Sequence, residues 1–475
     1  MPVHTDEAVN ASILGEMLEG RPYRYDPVDR HGPSLYYATY PVVRAFGAHS
    51  LGDLEAWELR LVPAVLGAGL LGALLLFLPA FPPPTLLASA LWLGVGAPFV
   101  YYGRYWIHET LLVLLTFLLL GFSWRFSRTT RTGWAIAAGL AAGALLATKE
   151  TSVLTLSCAL GALVLTRLLC RRDARPPGTS IVPGVALGIA AAVLASALLF
   201  SSFGQNPGGI GDALAALAYA TERAGGQGHE KPPLTYLGWL LAPNLRSRPF
   251  CGWTLAAFGL VGAWCAWQRR RDEPLPMFMA LFAFITLAAY SAIPYKTPWL
   301  LLNALAPWAL IAGTGLNRVG AVFAGRSRVV LTLALAAGVA GLLASETWRL
   351  CLVFPADPGN PLAYSPTSPD IRRLEARAES LVSERGALAP IVAVVGADIW
   401  PLPWYLRHCP NVGYWPELPR SPEATVVISD ASQSERVSRA LGPGWTSEIF
   451  GLRPEVLAVL FHRTAADHGA GKRGP

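Results

Sequence analysis

Ten apolar runs, each close to the length of a bilayer crossing, limit this chain more than any other feature. A hydrocarbon core roughly 30 Å thick takes about 20 apolar residues as a helix, and a helix satisfies its backbone polar groups within one segment. The runs lie near 59–78, 85–102, 109–124, 133–148, 151–169, 181–203, 251–268, 275–293, 299–316 and 329–348. The stretch 133–169 is too long for one crossing, and only Lys149-Glu150 interrupts it, so that pair is placed at a turn between two spans. Charged residues are 15% of the 475 and hydrophobic ones 53%, against about 25% charged in soluble proteins. A disordered, fibrous or soluble-enzyme reading does not suit those proportions.

The net charge of +7 invites a polyanionic partner until the arginines are located. They gather at alternate connections: Arg125-Arg128-Arg131, Arg167-Arg171-Arg172-Arg175, Arg269-Arg270-Arg271 and Arg318-Arg326-Arg328. Short loops rich in arginine mark the cytoplasmic side, so the charge is an orientation signal and not a nucleic-acid patch. Residues 1–58, the turns at 103–108 and 149–150, the loop 204–250, the segment 294–299 and the C-terminal 350–475 then fall outside. A polar N-terminal segment on the outer side, with no signal peptide in it, implies a further membrane helix upstream of Met1. The alternative is translocation of a short tail without one.

The expected architecture is a polytopic α-helical membrane protein with about ten spans and a small extracytoplasmic α/β domain at its C-terminus. Residues 1–58 form a first outer loop, 59–349 the membrane body, 350–464 the α/β domain and 465–475 a disordered tail. In that domain Ser368-Pro369-Asp370 starts a helix over about 369–385, and Ile391–Val395, Thr425–Ile428 and Val456–Phe461 read as strands. That domain lacks GxGxxG or Walker spacing, so no nucleotide site is indicated there. Six cysteines form no metal signature; Cys351 and Cys409 both fall outside, where they could pair.

Ionisable residues at a membrane edge are candidates for function. Asp6-Glu7 opens an amphipathic helix suited to the interface plane, stopped by Gly20, although acids in a first turn capped by Thr5 also suit the helix dipole. Arg104, His108 and Glu109 stand among aromatic residues at the second outer turn, and Arg104 and His108 would share a helix face. An arginine, a histidine and a glutamate within six residues exceed what an interfacial belt needs, and suit a phosphate or a metal. Lys149-Glu150 is either a neutralised pair at a turn or part of the same site. His229, Glu230 and Lys231 stand in a loop before two prolines, and Lys296 sits between two prolines, where a lysine can snorkel to headgroups or hold one phosphate. A carboxylate with cations at the outer membrane surface suits glycosyl transfer from a lipid-phosphate sugar. The carboxylate takes the acceptor's proton, and cations or a metal stabilise the departing phosphate.

The order of Asp6-Glu7, then His31-Gly32-Pro33-Ser34-Leu35-Tyr36-Tyr37, then Arg104 and Glu109 in a polytopic body resembles the GT-C membrane glycosyltransferases of the protein O-mannosyltransferase and aminoarabinose-transferase class. Gly228-His229-Glu230-Lys231-Pro232, Pro294-Tyr295-Lys296-Thr297-Pro298-Trp299 and Trp400-Pro401-Leu402-Pro403-Trp404-Tyr405-Leu406-Arg407 look like the subfamily named for flippase-activity-associated proteins of archaeal N-glycosylation. The resemblance implies Asp6 as catalytic carboxylate with Glu7 beside it. It implies Arg104 and Lys296 as donor-phosphate contacts, and Glu109, His31 and His229 on the acceptor or a metal; by their place on the outer face Lys149 joins the phosphate candidates, and His108, Glu150, Glu230 and Lys231 the acceptor or metal candidates. A polyprenyl-phosphate-linked sugar, such as a mannosyl donor, would be the donor; a divalent metal and the acceptor (protein, lipid or glycan) stay open. Two departures stand out: related enzymes carry a membrane helix before the Asp-Glu pair, and Lys-Pro-Pro where this chain has His31-Gly32-Pro33. The rival expectation is a transporter or flippase accessory that binds lipid-linked sugars without chemistry; such proteins tend to carry their ionisable residues near the midplane.

Overall fold

The structure, a computed structural model, describes residues 1–170, 181–224, 230–241, 243–244, 248–249, 252–322, 324–383, 391–419 and 424–463. Helix α1 (Thr5–Leu18) and α2 (Ser34–Ala45) precede the apolar body of α3 (Ala56–Ala73), α4 (Pro83–Val95), α5 (Ala97–Tyr102), α6 (Glu109–Thr129), α7 (Thr132–Leu146), α8 (Thr151–Leu169) and α9 (Val182–Phe200). After α10 (Gly209–Ala224), α11 (Thr235–Leu241) and a two-residue ladder of β1 (Pro243–Asn244) with β2 (Arg248–Pro249), the body resumes. Its second part is α12 (Gly252–Gln268), α13 (Pro274–Ala292), α14 (Leu302–Gly320) and α15 (Gly325–Thr347).

Each of the ten apolar runs is helical. Among the described residues seven helical segments are long and apolar enough to cross a membrane: Ala56–Phe77, Glu109–Thr129, Thr151–Leu169, Val182–Phe200, Pro274–Ala292, Pro298–Gly320 and Gly325–Val353. Pro83–Val95 and Thr132–Leu146 are shorter apolar helices. The run 85–102 breaks at Gly96, whose extended backbone ends α4 and lets Pro98 enter the first turn of α5. The charged interruption in 133–169 is indeed a turn, with α7 ending at Leu146 and α8 starting at Thr151. Helices α7 and α9 approach so closely that a Cβ on Gly139 would lie 2.0 Å from the Gly188 carbonyl oxygen. Small residues allow such backbone contact between helices in lipid.

The helices alternate in direction, so their connections sort into two ends. Arg125, Arg128, Arg131, Arg269, Arg270, Arg271, Arg318, Arg326 and Arg328 lie at one end; the turns 103–108, 147–150 and 293–297 lie at the other. The two ends of α6 are about 30 Å apart at 1.5 Å per residue.

Two local expectations fail. Residues 103–108 are not helical, so Arg104 and His108 do not share a helix face. Helix α1 does not lie with an apolar stripe in the interface plane: Ala8, Ala11, Ile13, Leu14, Met17 and Leu18 are all buried by protein. Its cap is His4, not Thr5: the His4 ring accepts the Asp6 N–H while Glu7 reaches back to the His4 N–H.

The C-terminal residues form a five-stranded sheet ordered β4-β3-β5-β7-β6, from β3 (Val392–Val395), β4 (Val412–Trp415), β5 (Val426–Asp430), β6 (Trp445–Arg453) and β7 (Val456–Arg463). Strands β4, β3 and β5 are parallel and β7 and β6 complete it antiparallel. Helix α16 (Ile371–Ser383) covers one face through Ile371, Leu374, Ala378 and Leu381, in a core that also contains Leu14 and Met17 of α1. Cys351 and Cys409 are both buried and free. The expected tail 465–475 lies outside the described residues.

Candidate active site

The site is assembled around the first turn of α1. Glu7 is buried, and four groups hold its carboxylate: Arg60 Nε at 2.8 Å and Nη2 at 2.6 Å, the Trp106 N–H at 3.0 Å and the His4 N–H at 3.0 Å. Burial alone would raise its pKa, but the Arg60 charge and these hydrogen bonds hold it below the ordinary value. Glu7 is thus an anchor that fixes α1 to α3 and to the turn before α6. From the other side the Tyr405 hydroxyl accepts the Val3 N–H at 2.7 Å, Thr367 Oγ1 donates to the Val3 carbonyl at 2.8 Å, and His4 Nε2 donates to the Tyr364 carbonyl at 2.9 Å. Asp6 is left facing a cavity, its side chain 45% exposed. The His4 Nδ1, 3.9 Å away, carries no proton because it accepts the Asp6 N–H, so this approach is not an ion pair.

The cavity has a volume of about 710 Å³. One wall is polar and includes Asp6, Asn10, Asp29, Arg30, His31, His108, Glu109, Lys149 and Glu150. Lys149 donates to Glu109. Burial works against the Lys149 charge, but Glu109 more than offsets it and holds the amine above its ordinary value. Glu150 accepts from the Tyr25 hydroxyl at 2.9 Å and faces His31 Nδ1 at 3.0 Å. Burial would raise Glu150, but His31 and these contacts hold it well below the usual carboxylate range. His108 donates through Nε2 to the Gly32 carbonyl, and burial keeps its ring neutral. The opposite wall is apolar: Val153 and Leu154 of α8, then Ile293, Trp299 and Leu300.

His31 owes its place to Gly32. The segment is stitched to the end of α7 by Gly32 N–H to the Thr148 carbonyl and Ser34 N–H to the Ala147 carbonyl, both 3.1 Å. A Cβ on Gly32 would lie 2.2 Å from the Ala147 carbonyl oxygen. Gly32→Ala is expected to lift His31 off Glu150 and reduce turnover at least tenfold while the protein still inserts; near-normal turnover would show that the contact tolerates a methyl.

The expected residues do not all converge. Asp6, His31, His108, Glu109, Lys149 and Glu150 share the cavity. Glu7 does not line it. Arg104 points away and donates to the Cys351 carbonyl at 3.1 Å. Lys296 is buried, donates to the Ile293 carbonyl and sits 5.9 Å from the Tyr236 ring centre. His229 lies outside the described residues. Glu230 pairs its backbone with Tyr295, and Lys231 lies over the Tyr364 ring, so two motifs far apart in sequence meet without their charges entering the cavity. Sequence reasoning missed Arg60, Tyr25, Thr151 and Tyr290; of these only Arg60, an arginine at the start of an apolar run, left a signal. Among the described residues no group of three or more His, Cys, Asp or Glu is placed to hold a metal ion, and Glu109 and Glu150 already have partners. These residues do not fit a protein-held metal.

No family model matches this chain, and no curated protein matches it. Among solved structures it is similar to ArnT from Cupriavidus metallidurans bound to undecaprenyl phosphate, with a TM-score of 0.65 over 96% of this chain and 94% of that one, at 16% identity. The apo state of the same protein gives 0.64 over 95% and 92% at 15% identity. The fold is that of the GT-C membrane glycosyltransferases. The GT-C likeness extends to the Archaeoglobus fulgidus oligosaccharyltransferase in complex with Zn and sulfate, at a TM-score of 0.51 over 91% of this chain, 64% of that chain and 14% identity. In this chain the cavity lies between α1, the segment 27–31, the start of α6, the α7–α8 turn and the segment before α14.

Proposed function

We propose that this chain is a glycosyltransferase that moves a sugar, with inversion, from a polyprenyl-phosphate-linked donor to a hydroxyl acceptor on the extracytoplasmic face of the cytoplasmic membrane. The two-walled cavity carries the reading. Its apolar wall continues along α8 as Val153, Leu160, Val164 and Leu168, all exposed and spaced by seven, four and four residues, a path for a polyprenyl chain in the bilayer. Its polar wall contains one inward carboxylate with no hydrogen bond from a described residue, Asp6; Glu109 and Glu150 are engaged, and Asp29 is exposed at the mouth. Asp6 takes the proton of the acceptor hydroxyl as its oxygen attacks the anomeric carbon, and the sugar–phosphate bond breaks with its electron pair on the phosphate oxygen. A sugar of the hexose class is what the resemblance of the motifs implies, and one similar structure is described as bound to undecaprenyl phosphate.

The rival, carriage of a lipid-linked sugar without chemistry, suits charges near the bilayer midplane; here they gather at one end of the bundle. The test is purified protein in detergent with labelled polyprenyl-phosphate hexoses and a panel of acceptors. The expected result is release of polyprenyl phosphate with a labelled product. Movement of intact donor across vesicle membranes without cleavage would replace this reading with the rival.

A further inference from the structure

The cavity is short of positive charge for an anionic ligand. Its wall carries four carboxylates, Asp6, Asp29, Glu109 and Glu150, against two fixed cations, Lys149 and Arg30. Lys149 is engaged by Glu109, and Arg30 leans toward Glu16 at 3.6 Å and the Arg24 carbonyl at 3.4 Å. With His108 neutral, and before His31 is counted, the wall has two more negative charges than positive ones. A phosphate brought against it, beside an apolar surface, would be repelled. Positive charge has to arrive with the anion.

His31 is the group able to supply it. Its Nδ1 faces the Glu150 carboxylate, its Nε2 has no partner among the described residues, and its ring lines the cavity with the side chain 33% exposed, so protons reach it. Its backbone is pinned: the Tyr23 hydroxyl donates to its carbonyl at 2.5 Å. Groups facing it are Glu150 and Lys149 from the α7–α8 turn, His108 and Glu109 at the start of α6, Asp6 on α1, and Tyr25 and Arg30 of its own segment. His108 does not serve, because it is buried and its Nε2 is bound to the Gly32 carbonyl. Glu150 keeps both oxygens engaged and stays ionised, which favours an imidazolium beside it. Two neutral donors complete the seat: the hydroxyls of Thr151 and Tyr290, buried beside one another on residues that line the same cavity.

We propose that binding of the polyprenyl phosphate group is coupled to uptake of a proton at His31, whose Nε2–H then donates to a phosphoryl oxygen, with Lys149, Thr151 and Tyr290 as the other donors. The proposal rests on the polyprenyl-phosphate reading above. Affinity then falls as pH rises through the range in which histidines lose their proton, which a fixed lysine at this position would prevent.

The test is calorimetric titration of the full chain in detergent with undecaprenyl methyl phosphate, a phosphodiester that keeps one charge throughout this range. Comparing buffers of different ionisation enthalpy counts the protons taken up. The wild type is expected to take up roughly one proton per ligand above the histidine range, with affinity falling up to about tenfold per pH unit there. His31→Lys is expected to bind without uptake and with a flat pH profile, and His31→Gln to bind at least tenfold more weakly without uptake. A pH-independent wild type, or unchanged uptake in His31→Lys, overturns the proposal. So does binding that a chelator abolishes and a divalent cation restores. If His31→Gln fails to fold, the wild-type pH series and His31→Lys decide. Proton-coupled binding without any sugar transfer would sink the transferase reading alone; no binding at any pH would sink both.

Discussion

Asp6→Asn is expected to lower turnover with a polyprenyl-phosphate sugar by about 10²–10⁴-fold, the range for removal of a positioned base. Asparagine keeps the shape and the place in the first turn of α1, and gives up a first-turn charge worth about 0.3–1 kcal/mol. Insertion and thermal stability should therefore change little. The contrast with its neighbour makes the test sharp, because Asp6 has no hydrogen bond from a described residue while Glu7 has four. Near-normal turnover in Asp6→Asn would remove it from the reaction and leave the cavity without an uncommitted inward carboxylate.

Glu7→Ala is expected to do the reverse, destabilising the protein before it touches chemistry. Arg60 would keep its charge in a site only 17% exposed, with the Trp106 and His4 N–H groups left without their acceptor. Breaking a buried pair by removing one partner typically destabilises by about 3–5 kcal/mol, read here as a lower thermal midpoint in detergent. The pH dependence has a definite sign. The carboxyl of Glu7 is held below its ordinary value of 4.5, so its contribution is present above that value and is lost as pH falls through the folded one. Glu7→Gln should therefore flatten the acid limb of stability. Unchanged stability in both variants would show that α1 is anchored by its apolar contacts alone.

The sequence made the membrane body legible because a bilayer demands long apolar helices, and the ten runs matched helices within a few residues. It marked the Lys149-Glu150 turn because two charges in an apolar stretch have few other places to be. It could not say which motif residues turn inward. Arg104 follows a turn whose geometry depends on Gly103 and residues 350–355, and Lys296 folds back onto its own segment. Strands β4 and β6 went unread because their inward-facing residues are sparse: β4 has no fully buried position and β6 buries only Phe450 and Leu452. The amphipathic reading of α1 failed for a related reason. Its apolar residues are covered by protein, from α2 and Leu51 nearby and from Leu402–Tyr405 far along the chain.

That last contact sets a schedule for the molecule. Val3 and His4 are held by groups 402, 364 and 360 residues later in the chain. At roughly 5–20 residues per second of synthesis, Tyr364, Thr367 and Tyr405 are made about 20–80 s after the residues they hold, so the turn that carries Asp6 waits for them. A nascent chain can therefore have made its helical body and still hold the Asp6 turn unseated. The turn that carries Asp6 is seated only when the C-terminal residues fold back onto residues 3 and 4, so the proposed transfer would begin only after they are made.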